Sequence, residues 1–236
     1  MQSTNQFNAI LDIFISPTKV FAGLKDAKGW FLMPLILVCG LMAASQYTYF
    51  SNVDTEFLLD QQVAQAGADL TSGEQKMIRN QMASTVDMQY LFAMFGGIIA
   101  IVVMNAIIAG YYNFVAKQDM TTDYKYGDWY SFGLWTMMPT TIYALGLIAL
   151  VLTAQTDQLP LSMHAYASLN QLIFGIEAGQ PFAALLDSLN IFSFWSIAIA
   201  AIGLKTWTNF SMNKAIVFAA LPTVVIYVIW AIIAAL

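Results

Sequence analysis

Tyr90–Val115 reads YLFAMFGGIIAIVVMNAIIAGYYNFV, an apolar run without a single Asp, Glu, Lys or Arg. A bilayer core of about 30 Å is crossed by roughly 20 such residues in a helix, so this run is long enough to span one. Four further runs have the same character: Trp30 to about Phe50, about Tyr130 to Ala154, Ser188 to Leu204, and Ala215 to Leu236. Lipid cannot hydrogen-bond a bare backbone, and none of the runs alternates with the period of two that barrel strands show, so helices are the spanning form. The predicted fold is all-α: a polytopic membrane protein with five transmembrane helices plus short amphipathic interfacial helices. Its two parts are an amphipathic N-terminal segment, residues 1–29, and a membrane domain, residues 30–236, with spans at about 30–50, 90–115, 130–154, 188–204 and 215–236.

Composition points the same way. The chain of 236 residues is 59% hydrophobic and 10% charged, against roughly 45–50% and about 25% in ordinary globular domains. A net charge of −5 with no basic stretch has nothing to hold a phosphate backbone, which excludes nucleic acid as a partner. One cysteine, Cys39, cannot form an internal disulfide, and a lone Cys with the lone His164 cannot build a common zinc site. Leu37-Val38-Cys39 lacks the small residue a lipoprotein box places before its cysteine, so Cys39 reads as a packing residue. No Lys or Arg precedes Lys19, so a cleavable signal peptide is not expected and the first span should stay attached.

Positively charged loops are retained in the cytoplasm. Lys19, Lys25 and Lys28 precede the first span, Lys117 and Lys125 separate the second from the third, and Lys205 and Lys214 separate the fourth from the fifth; only Lys76 and Arg79 fall on the other side. Seven against two predicts a cytoplasmic N-terminus and an outside C-terminus. Asp54, Glu56, Asp60, Asp69, Glu74, Asp87, Asp157, Glu177 and Asp187 lie in the outer loops or at their edges, but acids carry little weight in this rule.

Outside the spans, Phe7, Ile10, Leu11, Phe14 and Ile15 have the spacing of one helix face, and Pro17 suits the first turn of a second helix in which Val20, Phe21 and Leu24 continue the face. That face can dock on the membrane surface or pack on the protein itself. Thr71 with Glu74 forms the T-x-x-E box that opens a helix, so residues 51–89 read as a helical hairpin, with Asp54, Glu56 and Asp60 as a solvated acidic face. Between Asp157 and Asp187 the stripe Leu169, Leu172, Ile173, Ile176 predicts an interfacial helix. His164, Glu177 and Asp187 have no metal-ligand spacing.

Polar residues within spans are costly and therefore candidate sites. Asn105 is central in the second span, where an interhelical bond and a place in a polar conduit are both open; Gly96, Gly97 and Gly110 would let another helix approach closely. Pro34, Pro139 and Pro222 are expected to kink their helices, with Thr136, Thr140 and Thr141 beside the carbonyls freed at Pro139. Asp187 and Asn190 read as caps of the fourth span, or as a polar site facing outside. No H-E-x-x-H, G-x-S-x-G or G-x-x-x-x-G-K-[ST] occurs, so no catalytic, cofactor-binding or metal residue is assigned, no cofactor is expected, and the protein reads as a non-enzyme.

The last third carries a resemblance. Leu189-Asn190-Ile191-Phe192-Ser193-Phe194-Trp195, then Ile202-Gly203-Leu204, a short basic loop and an apolar final span resemble the Yip (Ypt-interacting protein) domain family in its bacterial branch. Ser16-Pro17-Thr18-Lys19-Val20-Phe21, followed by Trp30 and Pro34, is similar to the family's usual start. The resemblance implies five spans, an inner-membrane location and no agreed activity. Eukaryotic members are associated with Golgi and endoplasmic-reticulum traffic and with prenylated Rab GTPases through a longer N-terminal region; the acidic-aromatic-glycine signature near their second span is not recognisable here, so Rab binding is not carried over. The expected partners are the lipid bilayer, other membrane proteins and a second copy of the chain. The expected function is binding membrane partners or organising the bilayer, with a channel or transporter for an ion, lipid or small solute as the rival.

Overall fold

The computed structural model describes residues 5–24, 27, 29–66 and 70–235. Lys25, Lys28 and Asp69, which entered the charge count, lie outside the described residues, as do residues 1–4 and Leu236. The described chain is helical, with α1 (Gln6–Ile15), α2 (Pro17–Leu24), α3 (Leu32–Asn52), α4 (Thr55–Ala66), α5 (Ser72–Ala83), α6 (Gln89–Ala116), α7 (Tyr126–Thr136), α8 (Pro139–Thr153), α9 (Ala183–Ser188), α10 (Ile191–Trp207) and α11 (Met212–Ala234). No strand occurs among the described residues, only an isolated bridge between Ser168 and Asn190.

Local chemistry explains the boundaries. The Asn5 side chain accepts the Asn8 N–H at 2.8 Å and opens α1, while Pro17 opens α2 without needing an N–H. The box predicted at Thr71 and Glu74 caps α5 in both directions. Among the described residues, four helical stretches are long and apolar enough to cross a bilayer: Leu32–Asn52, Val86–Ala116, Tyr126–Thr153 and Met212–Ala234. The stretch read as the fourth of five spans is α10, with only 17 residues, or about 25 Å at 1.5 Å per residue. Pro222 lies in the interior of α11. Pro34 sits in the first turn of α3, where a missing donor leaves nothing unpaired, whereas Pro139 opens α8 and the predicted third span is interrupted directly before it, between Thr136 and Pro139.

The chain divides into two compact units: Met1–Leu41 with Ile98–Ile142 and Phe192–Val228, and Met42–Gly97 with Tyr143–Ile191 and Ile229–Leu236. In the first, α1 and α2 pack together, and Ala9, Ile13, Val20 and Phe21 are completely buried with Trp129, Phe132, Trp135 and Leu204. The apolar face predicted for α1 is thus split. Ala9 and Ile13, with Ile10 and Phe14 against them, face the core, while Phe7, Leu11 and Ile15 stay 68–77% exposed. In the second unit, Tyr49, Leu58, Leu147, Val151 and Leu159 form a smaller core. The Tyr49 hydroxyl donates to the Leu159 carbonyl at 3.0 Å, and α4 pairs with α5 as the expected hairpin. Its acids are not merely solvated: Glu56 and Asp60 both grip Arg79, and Asp54 accepts the Phe57 N–H at 2.7 Å.

The interfacial helix expected between Asp157 and Asp187 is replaced by a 3₁₀ turn (Leu161–Ala165), a single π turn (Asn170–Phe174) and α9. Gly175, in the left-handed region at φ 64°, ends the π turn with its N–H on the Asn170 carbonyl. The Asn170 side chain then takes the Ile176 N–H at 2.8 Å and donates to the Ile176 carbonyl at 2.9 Å. Local side-chain bonds of this kind compete with helix continuation, and here they win.

Candidate functional site

Asn105 is 2% exposed on α6, and its Nδ2 donates to the Tyr130 carbonyl on α7 at 3.0 Å. A bond to a carbonyl on another helix joins two segments where no water competes. The contact depends on Gly133, since a Cβ there would collide with Asn105 Oδ1 and lie 3.2 Å from its Cγ. Gly96 and Gly97, expected to permit close approach, face open space, and Gly110 meets only Tyr126 at 4.0 Å. The glycines that admit neighbours are Gly133, Gly146 and Gly203; nothing in local spacing separates them from the rest.

Between α7 and α8 the chain turns at Met137 and Met138, and the Met137 N–H reaches back to the Gly133 and Leu134 carbonyls. The Thr136 hydroxyl donates to the Gly133 carbonyl, Thr140 to Met137 and Thr141 to Met138, each at 2.7 Å. Carbonyls left over at the break therefore have donors within their own segment.

The second unit brings together residues that are scattered in sequence. Asp187 lies within α9, and its Oδ1 accepts from Asn170 Nδ2 at 3.0 Å and from Ser168 Oγ and Gln171 Nε2 at 3.5 Å. It is bound to the 168–171 segment rather than to the first amides of α10. Asn190 directly precedes α10 and bridges to Ser168, while the Ile191 N–H reaches the Ala167 carbonyl at 3.1 Å. A cleft of about 700 Å³ results, lined by Gln61, His164, Gln171, Glu177, Asp187 and Ser188 among others. His164, Glu177 and Asp187, which share no spacing, thus share a cleft. Among the described residues no three His, Cys, Asp or Glu side chains could hold a metal ion together. His164 packs on the Tyr49 ring at 4.1 Å, and its burial pulls the imidazole below its ordinary pKa. Three left-handed residues shape the cleft's loop: Gly175, Gly179 and Phe182. For Phe182, at φ 67°, this conformation costs on the order of 1–3 kcal/mol, and such strain tends to collect at functional sites.

The Yip1 domain model matches residues 11–233. The chain belongs to the Yip1 domain family. Comparison with curated proteins and with solved structures gives no match. As a member of that family with long apolar helices, it is a multi-pass integral membrane protein.

Several of the stretches that carried the resemblance, from Ser16–Phe21 to Phe192–Trp195 and Ile202–Leu204, lie in the first unit. A Cβ on Gly203 would lie 2.5 Å from Phe132 and 2.8 Å from Phe21, so this glycine of α10 is what admits both rings. The Trp207 indole donates to the Phe21 carbonyl at 2.7 Å and stacks on Tyr124 at 4.1 Å with 8° between planes. Trp135 ties the start of α3 by donating to the Trp30 carbonyl at 3.1 Å. Phe14 of α1 meets Trp195 edge-on at 5.5 Å. The S-P-T-K-V-F, I-G-L and F-W stretches of this family member are therefore parts of one packing arrangement. The loop after α6 is held in the same unit: Asp119 Oδ2 accepts the Asn209 N–H at 2.7 Å, its Oδ1 accepts from Thr121, and these bonds hold the carboxyl well below the usual range.

Proposed function

We propose that this is a non-enzymatic five-span protein of the bacterial cytoplasmic membrane, with its N-terminus inside and its C-terminus outside, that binds other membrane components or organises the bilayer around it. The observation that carries the reading is the split face of α1. Ala9 and Ile13 anchor the helix on its unit, and the i, i+4, i+8 stripe of Phe7, Leu11 and Ile15 remains as a second apolar face. A helix fixed by one face and apolar on another suits the plane of a bilayer interface, or a partner there. α10 supplies the fifth span, its 17 residues falling at the short end of the spanning range. A channel would be built on the α7–α8 break and on Asn105. Asn105, however, is engaged with Tyr130, and the carbonyls at the break are occupied by Thr136, Thr140 and Thr141.

The test replaces Phe7, Leu11 and Ile15 together by Ser. Membrane insertion and yield are expected to survive, while co-purifying partners, retained lipid or oligomer populations change. Unchanged populations together with solute flux from liposomes containing the purified protein would establish the channel instead. Orientation is checked by single cysteines after Cys39 is replaced: Ser72→Cys and Ser162→Cys should react with an impermeant thiol reagent in intact cells. Met120→Cys, at a position 99% exposed, should not.

A further inference from the structure

The cleft of the second unit has unused capacity of one sign. All three bonds to Asp187 end on Oδ1, which leaves Oδ2 for a donor entering the cleft. Glu177 is exposed, and no side-chain bond or ion pair engages its carboxylate. No Lys or Arg is among the described residues lining the cleft, so the fixed charge there is negative, and the exposed side-chain amide of Gln171 adds a neutral donor and acceptor. A volume of about 700 Å³ is that of a small-molecule site. Directly after Gln171, which lines the cleft, Leu172, Ile173 and Phe174 are 55%, 69% and 57% exposed, so three consecutive exposed apolar residues follow a residue of the acidic cleft.

We infer that the cleft holds the primary ammonium of a phospholipid headgroup, with Asp187 Oδ2 and Glu177 accepting from the ammonium, the Gln171 amide meeting the phosphate, and the acyl chains lying along Leu172, Ile173 and Phe174. Charge complementarity selects a cation, the need for several N–H donors to fill two carboxylates selects a primary over a quaternary amine, and the apolar edge selects a lipid over a free amine. The inference deepens the reading of the protein as a binder of membrane components and rests on it, but it uses residues that the α1 test does not touch.

The experiment titrates the full-length protein in detergent with short-chain phosphatidylethanolamine, phosphatidylcholine, phosphatidylglycerol and free ethanolamine, reading the melting temperature and bound lipid by native mass spectrometry. Phosphatidylethanolamine is expected to raise the melting temperature with a half-saturating concentration about tenfold below those of the other two lipids, the scale of one charge-assisted bond set. Glu177→Gln should weaken this binding by about tenfold while leaving the unliganded melting temperature unchanged, because no side-chain bond is lost. Asp187→Asn should weaken it as well; since that variant also disturbs Asn170, the Glu177 variant carries the decision. Equal response to all three lipids, or wild-type affinity in Glu177→Gln, overturns the inference. Saturation by free ethanolamine at the same concentration as the lipid overturns the lipid assignment in favour of a soluble amine. Each of these failures leaves the α1 reading standing, and an α1 variant without effect leaves the headgroup result interpretable.

Discussion

The two units are held together by different means. The first is an aromatic packing problem: Phe132 and Trp207 contact each other and both Phe21 and Trp129, at 4.8–6.3 Å between ring centres, and Gly203 must stay small for two of those rings to fit. The second is a hydrogen-bonding problem, in which Gln61 bonds the backbone of Leu159 and Leu161 and Asn170 bonds that of Ile176. Between helices in lipid, burial of apolar area is a weak force, so close contact and specific bonds decide the arrangement. Around the loops the backbone itself needs partners, and side-chain amides provide them. The first unit should therefore be intolerant of changes in volume, and the second of changes in polarity.

The largest effect is expected at Phe21, which is completely buried and whose carbonyl also receives the Trp207 indole. Phe21→Ala should cost about 3–5 kcal/mol, read as a lower melting temperature in detergent; a cost near zero would mean that the aromatic cluster does not hold the unit. Next comes a matched pair of glycines. Gly203→Ala pushes into two buried ring edges and should cost about 1–3 kcal/mol. Gly146→Ala in the second unit meets the hydroxyl end of the Tyr166 ring, a half-buried side chain stacked on Tyr143. Its cost should be the loss of the Tyr166 hydroxyl bond to the Tyr143 carbonyl, about 0.5–1.5 kcal/mol. Equal costs would erase the distinction between the units.

Asn105→Leu ranks alongside, at about 1–2 kcal/mol or less, because an interhelical bond in lipid is worth no more than that. Stability unchanged with altered flux would instead make Asn105 part of a conduit. The smallest effects are pH-dependent and of the same sign in both units. Asp119 has a folded pKa below its ordinary value, so the unfolded chain takes up the proton first, and the stabilisation present at neutral pH should fade only below about pH 4. His164 is also depressed, so stability should begin to fall as pH drops below about 6.5 and continue down to the folded value. Melting curves for Asp119→Asn and His164→Gln should each lose one of these two windows and keep the other.

Much of this was legible in the residues themselves. The bounds of α1, the opening of α2 at Pro17 and the Thr71–Glu74 box follow from contacts within a few residues, which is the range over which sequence pattern and structure coincide. Pro139 interrupts its apolar run between α7 and α8, whereas Pro34 stands in the first turn of α3, because what a proline does to a helix depends on where the helix begins. Gly96 and Gly97 leave open space beside α6, because a small residue shows room for a neighbour without showing whether one arrives. The stripe at Leu169–Ile176 followed helical spacing, yet Asn170 and Gly175 closed the segment into a single π turn.

The sequence by itself determined that the chain is helical and membrane-embedded, since a run such as Tyr90–Val115 leaves the backbone no partner but its own carbonyls in lipid. It also determined the caps and the amphipathic character of the N-terminal segment, because these depend on neighbours one helical turn away. Only the tertiary structure decided that Gly133 faces Asn105 and Gly203 faces Phe21, that α1 keeps one apolar face exposed, and that His164, Glu177 and Asp187 line one cleft. Those outcomes join residues separated by long stretches of chain, and their pairing is set by which side chains fit against one another in three dimensions, a property that no local period or spacing encodes.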